Sequence, residues 1–366
     1  FVYADVDGHI GYALGGAIPI RAKGDGRLPV PGWSGEYEWQ GTVPNEALPH
    51  AFDPEEGLLV TANNRIVDSS FPYKIEGEYL SGYRAARIRQ MLEQTPQHTL
   101  DSFGRIHRDA RSLPGLEMVA LVGRLPNDTP FAAQVRDILA TWDGDMSPDS
   151  AGALIFSRLR ERLLDDAFHE IDGVAGAAFG LGAFAGLPGG DMRAIALPGI
   201  LRRIAERDDR WFGGRNSWET VLAECWRATI TELRDTYGED PANWRYGEAH
   251  KIDLRHALGS VAPLAPLLNR GPFEYRGDRD TVSMGHSPKT ASGQEMFVAP
   301  SYRQICDTAD WNRSRSSHPI GQSGHPGSAH YADFVEAWLE GRYHPMPWSR
   351  TQVEEAAAAR LLLEPR

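Results

Sequence analysis

Two consecutive amides, Asn63 and Asn64, close the apolar run Gly57-Leu58-Leu59-Val60-Thr61-Ala62. A run of β-formers that stops at two amides predicts a buried strand delivering a polar side chain to the edge of a cleft. The chemistry on offer is hydrogen-bond donation without charge: an Asn amide has two N–H donors, which suits an oxyanion developing at a carbonyl under attack. The same pair also fits turn asparagines that do no more than end a strand.

A second candidate lies about twenty residues on. Arg84 shares a predicted helix face with Leu80, Ile88 and Leu92, where a permanently charged guanidinium needs a partner before it can be buried. It either serves a site, bridges a structural carboxylate, or snorkels to the surface.

Other motifs carry less. Ser34 and Ser323 sit in Gly-x-Ser-Gly, and neither follows a strand or opens a helix as a nucleophile elbow must. Residues 180–185 fit G-x-G-x-x-A with no strand before them, which removes the nucleotide-binding context. The pairs His325/His330 and His250/His256 lack the one-face helical spacing of a zinc pair. Cys225 and Cys306 offer neither a CxxC site nor a disulfide framework.

The elements that must position these residues follow from pattern. Residues 2–6 and 10–14 read as a hairpin about Asp7-Gly8. Pro29, Pro31 and Gly32 mark a loop before residues 36–41 and the strand ending at Asn63. From about Tyr79 the period becomes helical, with Leu80, Arg84, Ile88, Met91 and Leu92 in register. Asp149-Ser150 offers an N-cap before Ala153, Leu154, Leu159, Leu163 and Leu164, and residues 218–233 form another amphipathic helix. After Gly271 short segments return, including Thr281-Val282-Ser283 and residues 295–299, followed by helices over 331–339 and 352–363. The expected division is 1–70 strand-rich, 71–270 mainly helical, and 271–366 returning to the core, with Tyr3, Ile10 and Val60 buried together in one sandwich.

At 366 residues, 41% hydrophobic and with ten Trp, the chain has ample material for a core. A net charge of −12 with no basic stripe argues against nucleic acid or an anionic membrane as partner. The apolar stretch 174–187 is too short, and too broken by Gly, to span a bilayer.

An ordered set of motifs carries a family resemblance: Tyr3-Ala4-Asp5-Val6-Asp7-Gly8-His9-Ile10-Gly11-Tyr12, Arg27-Leu28-Pro29-Val30-Pro31-Gly32, Trp39 with Gly41, Thr61-Ala62-Asn63-Asn64-Arg65 and Tyr83-Arg84-Ala85-Ala86-Arg87-Ile88. It continues through Trp142-Asp143-Gly144, Trp244-Arg245-Tyr246-Gly247, Gly321-Gln322-Ser323-Gly324 and His330-Tyr331-Ala332-Asp333. Together they resemble the β-subunit of the penicillin amidase (penicillin acylase) family of N-terminal nucleophile hydrolases. The resemblance implies an α+β fold, the layered αββα sandwich with a helical insertion, here as the later two-thirds of that subunit.

It further implies hydrolysis of N-acylated amines of the penicillin, acyl-homoserine lactone or acyl-peptide type, through an acyl-enzyme on an N-terminal Ser. Phe1 supplies no such hydroxyl, so the resemblance places the nucleophile upstream, with an α-subunit and the first part of the β-subunit as partners from one precursor. Asn63 then corresponds to the oxyanion donor, Arg84 to the site arginine, and Asn64 to a structural neighbour. No cofactor is required. A structural Ca²⁺ is the optional addition, with contacts at Gly26 and near Glu76, although the second loop departs from the family's acidic pattern. Location would be periplasmic or secreted, with a small-molecule substrate and neither nucleic acid nor membrane as partner. The competing expectation is a non-catalytic binding or structural module.

Overall fold

The computed structural model describes residues 1–26, 28–75, 79–126, 129–169, 193–214, 216–286 and 298–365. The chain divides into two compact units, the first Phe1–Gln97, Cys306–Ser314 and Met346–Arg366, the second His98–Ile305 and Arg315–Pro345. Two expected features, the 180–185 glycine motif and most of 295–299, lie outside the described residues.

The first unit is built on hairpins. β1 (Val2–Ala4) and β2 (Ile10–Ala13) pair antiparallel with Tyr3 opposite Gly11, as the sequence predicts. Gly8 takes φ 91°, the left-handed geometry the tight turn needs, and the Asp5 carboxylate accepts from the Asp7 and His9 amides across the loop. β3 (Pro19–Arg21) pairs with β4 (Trp39–Thr42), while β5 (His50–Phe52) joins the free edge of β2. Tyr3 stands 52% exposed rather than buried beside Ile10 and Val60.

The predicted strand over 57–62 joins no ladder among the described residues. Alternation and β-propensity report which face a strand would bury, not whether a neighbouring strand is there to pair with it. Helix α1 (Tyr83–Glu93) forms over Arg84, Ile88, Met91 and Leu92 as the period indicates, but it starts at Tyr83 rather than about 79, so Leu80 lies before it and donates its N–H to the Asn63 carbonyl. The terminal helix runs Arg350–Ala356, started by Ser349 Oγ accepting from Gln352 N, and stops short of the expected 363. Leu361–Leu363 beyond it are exposed, and a short helix without a packed face is marginal.

The second unit holds most of the buried apolar residues. Hydroxyl caps open its helices: Thr99 before α2 (Leu100–Arg108), Ser112 before α3 (Leu113–Val122), Thr129 before α4 (Pro130–Thr141) and Ser150 before α5 (Ala151–His169). α6 (Arg193–Glu206) precedes α7 (Trp218–Tyr237), which Ser217 caps. α5 lies chiefly against α7, and Leu154, Phe156, Leu159 and Leu163 meet Trp218, Cys225 and Leu233 in one core. β6 (Lys251–Leu254) pairs with β7 (Arg270–Glu274). A second small sheet runs β8 (Arg303–Ile305), β9 (Arg315–Ser317), β10 (His344–Pro345).

α8 (Val335–Glu340) is shorter than the expected 331–339 helix because Tyr331 is drawn off to donate its hydroxyl to the Leu268 carbonyl. Thr281-Val282-Ser283 forms a hydrogen-bonded loop instead of a strand: Asp278 N donates to Thr281 Oγ1 and Gly285 N to the Asp278 carbonyl. That loop aims Asp278 at Arg160 of α5, 2.9 Å away and almost fully buried. Burial pushes the Asp278 carboxyl above the usual carboxylate range, against the pull of Arg160.

Candidate active site

Asn63 lies on a bend of the first unit with φ 61°. Asparagine is the side chain other than glycine that most readily accepts this left-handed backbone, which explains an amide at this point of the chain. The bend is closed from two sides. Leu80 N donates to the Asn63 carbonyl at 3.0 Å, and Asn64 folds its side chain back, Oδ1 accepting from Ala62 N and Nδ2 donating to the Arg65 carbonyl. Asn64 thus pins the backbone, while the exposed Asn63 side chain is presented outward.

Arg84, in the first turn of α1, reaches this bend. Its Nη2 donates to the Ala62 carbonyl and to Asn63 Oδ1, each at 2.8 Å. The second bond fixes the amide's orientation: with Oδ1 held by the guanidinium, Nδ2 points away from Arg84 and has no protein acceptor among the described residues. Both of these bonds from the half-buried Arg84 go to neutral oxygens that also build the bend. Sequence reasoning paired Asn63 with Arg84 but missed the Ala62 carbonyl and the positive φ. The only signal for either was the amide pair itself at the end of an apolar run.

A further ion pair in the same unit went unforeseen. His9 Nδ1 lies 2.6 Å from Asp53 Oδ2, Ile10 N donates to Asp53 Oδ1, and the Asp53 hydrogen bond holds the imidazole pKa above its ordinary value. The pair clamps β2 to the chain leaving β5.

Of the two metal contacts, Gly26 lies in a loop where Gly24 and Gly26 take φ 73° and 80°, while Glu76 is outside the described residues. Between those glycines Asp25 accepts Lys74 Nζ at 2.9 Å, and the Arg21 guanidinium covers Gly26. Among the described residues no three His, Cys, Asp or Glu side chains converge on a metal position.

The remaining motifs prove architectural. Trp142 fills a notch between Gly115 and Gly152, where an added methyl on Gly115 would come within 2.7 Å of the indole, and its Nε1 donates to the Asp145 carbonyl. In the next motif Trp244 is buried, Arg245 bridges Asp149 and Glu274, and Tyr246 OH donates to the Gly277 carbonyl. The Gln322 and Ser323 amides both donate to the His330 carbonyl, and His330 pairs with Asp333. Ser34 Oγ donates to the Pro31 carbonyl within an exposed 3-10 turn, and Ser323 Oγ accepts from His325 N. Both cysteines are free thiols. No helix among the described residues is long and apolar enough to cross a membrane.

Known proteins carry the same order of segments. The chain is 32% identical over 370 residues to a penicillin acylase 2 proenzyme of Pseudomonas sp. (strain SE83), covering 99% of this chain and 46% of that protein. It is 28% identical over 404 residues to the acyl-homoserine lactone acylase QuiP of Pseudomonas aeruginosa, covering 100% and 46%. Against the penicillin G acylase of Escherichia coli it is 35% identical over 341 residues, covering 81% and 39%. The chain thus spans less than half the length of these relatives. The structure of a thermostable penicillin G acylase from Alcaligenes faecalis superposes with a TM-score of 0.66 at 20% identity, covering 100% of this chain and 67% of that one. The fold is accordingly α+β and is that of the penicillin G acylase structure. Since the penicillin amidase family model runs through residues 1–355, taking in the Asn63–Arg84 bend and the architectural motifs alike, the chain is a member of the penicillin amidase family.

Proposed function

We propose that this chain is the oxyanion-stabilising part of an amide hydrolase that releases a carboxylic acid from an N-acylated amine. The observation that carries the reading is the Arg84 bond to Asn63 Oδ1, which leaves the Asn63 Nδ2–H outward and unspent. An amide held this way is a preorganised donor, and such donors stabilise charge that develops only in the transition state.

In this reading the attacking hydroxyl belongs to an N-terminal Ser outside these 366 residues, held with an α-subunit and the first part of the β-subunit. Its own α-amino group, titrating near 7.7–8, accepts the hydroxyl proton. The oxygen adds to the acyl carbonyl, Nδ2 of Asn63 donates to the oxyanion, the amine departs with the proton, and water hydrolyses the ester. Arg84 positions Asn63 and, as a nearby cation, favours the neutral amine. The names of the relatives support penicillins or acyl-homoserine lactones as the substrate class. A periplasmic or secreted location accords with that chemistry.

The test is steady-state kinetics of Asn63→Ala in the complete enzyme. Loss of one such donor lowers kcat by about 10²–10³, with KM changed far less because the bond strengthens in the transition state. An Asn63→Ala enzyme that keeps most of its kcat would reduce Asn63 to a turn residue.

A further inference from the structure

The loop at residues 24–26 is where a divalent cation would sit if this chain followed the metal-binding pattern, and its geometry disagrees. Gly24 and Gly26, both left-handed, turn the chain around Asp25 beside a cavity of about 180 Å³ lined by Arg21, Gly24, Tyr73 and Lys74. A calcium ion takes six to eight oxygens, carboxylate and carbonyl. Here the Lys74 ammonium already has one of each from Asp25, Oδ2 at 2.9 Å and the carbonyl oxygen at 3.4 Å. A second fixed cation stands beside it: a Cβ on Gly26 would lie 3.0 Å from Arg21 Nη2, so the guanidinium rests directly on the loop backbone. An entering divalent ion would meet two positive charges and find two oxygens of Asp25 engaged.

We propose that Lys74 is a built-in counter-ion that closes the 24–26 loop in place of a divalent cation, with Arg21 excluding the metal from Gly26. The charge that a bound ion would bring is supplied by the segment at 74 itself. Loop closure then depends on salt through screening of a half-exposed pair and is indifferent to chelators.

The experiment compares the purified protein with Lys74→Met, Asp25→Asn and the double variant. It follows thermal melting and, as a local readout, amide hydrogen exchange at residues 24–26, each with EDTA or with calcium chloride. Neither reagent should move the wild-type melt or the loop's exchange. Lys74→Met and Asp25→Asn should each speed exchange of the loop and lower Tm by about 1–3 °C at low salt. The double variant should be no worse than the weaker single, because both remove the same interaction. The proposal is overturned if EDTA destabilises the wild type and calcium restores it. It is equally overturned if Lys74→Met exchanges at 24–26 like the wild type, or if the two single effects add in the double.

Discussion

Two arginines on helices, Arg160 in the second unit and Arg84 in the first, mark a contrast between buried architecture and a presented site. Arg160 lies on a helix whose apolar neighbours are fully buried, and it meets Asp278 and Asp280, themselves nearly inaccessible. Arg84 lies on a helix with no fully buried residue and spends its Nη2 on a carbonyl and a side-chain amide. In the first unit only Val43, Leu48 and Ala62 are buried apolar side chains among the described residues, whereas the second contains a large continuous core. The same side chain therefore does different work. In a dry core it pairs with buried carboxylates, and at an open bend it donates to a carbonyl and orients a neutral amide.

The contrast can be broken first in the core. Arg160→Ala leaves the Asp278 carboxylate buried without its closest cation, and stranding one partner of a buried pair costs about 3–5 kcal/mol. Chemical denaturation should read that loss. A change below about 1 kcal/mol would mean that solvent or another cation reaches Asp278 and that the two arginines differ less than their burial suggests.

Arg84→Ala is the matching test of the site. Removing a charged donor from a half-buried pair of acceptors costs about 1.5–3 kcal/mol, and here it should fall on catalysis as well as stability. Asn63 loses the bond that fixes its amide orientation. The expected outcome is a kcat reduced by about tenfold to a hundredfold, with a lower Tm. If Tm falls while kcat holds, Arg84 supports the bend without aiming Asn63.

The smallest effect per increment is a pH dependence whose acid-labile part lies in the second unit. Burial, assisted by the Arg303 charge, lowers His107 to about 4, and burial with Arg160 and His286 nearby lowers His250 to about 3. Both therefore stay neutral in the fold at pH values where an unfolded imidazole, with pKa near 6.5, takes a proton. Their stabilisation is complete above pH 6.5 and lost as pH falls toward 4 and then 3. The slope is about 1.4 kcal/mol per pH unit per histidine. His9 in the first unit has the opposite sign, raised by Asp53 and favouring the fold at lower pH. Histidine ring NMR across an acid titration checks both directions. A His107 that titrates near 6.5 would remove the acid-labile half of the prediction.

Local features were the legible ones. The 2–13 hairpin, the body of α1, the α5 cap at Asp149-Ser150 and the amphipathic α7 follow from turn residues, period and a hydroxyl three positions before Ala153. The pairing of Asn63 with Arg84 followed from the family resemblance, whose motifs run in order. The Arg160–Asp278 pair was not, since 118 residues separate the partners and neither spacing nor period links them. Nor was the missing ladder over 57–62, because a sequence advertises a strand's faces while its hydrogen bonds depend on a neighbour. Lys74 escaped for a related reason: a lysine's own context does not reveal whether it meets water or a carboxylate 49 positions earlier.

The double role of a single nitrogen, Nη2 of Arg84, has one more consequence. Because it holds the Ala62 carbonyl and Asn63 Oδ1 together, backbone closure and amide orientation are one event. A chain whose 61–65 segment has not settled cannot present a correctly aimed N–H, so incomplete local folding and loss of the donor coincide. Under the proposed function, competence at this site would report the completion of the bend, and a population of partly folded molecules would register as fewer active sites of normal quality rather than as uniformly weaker ones.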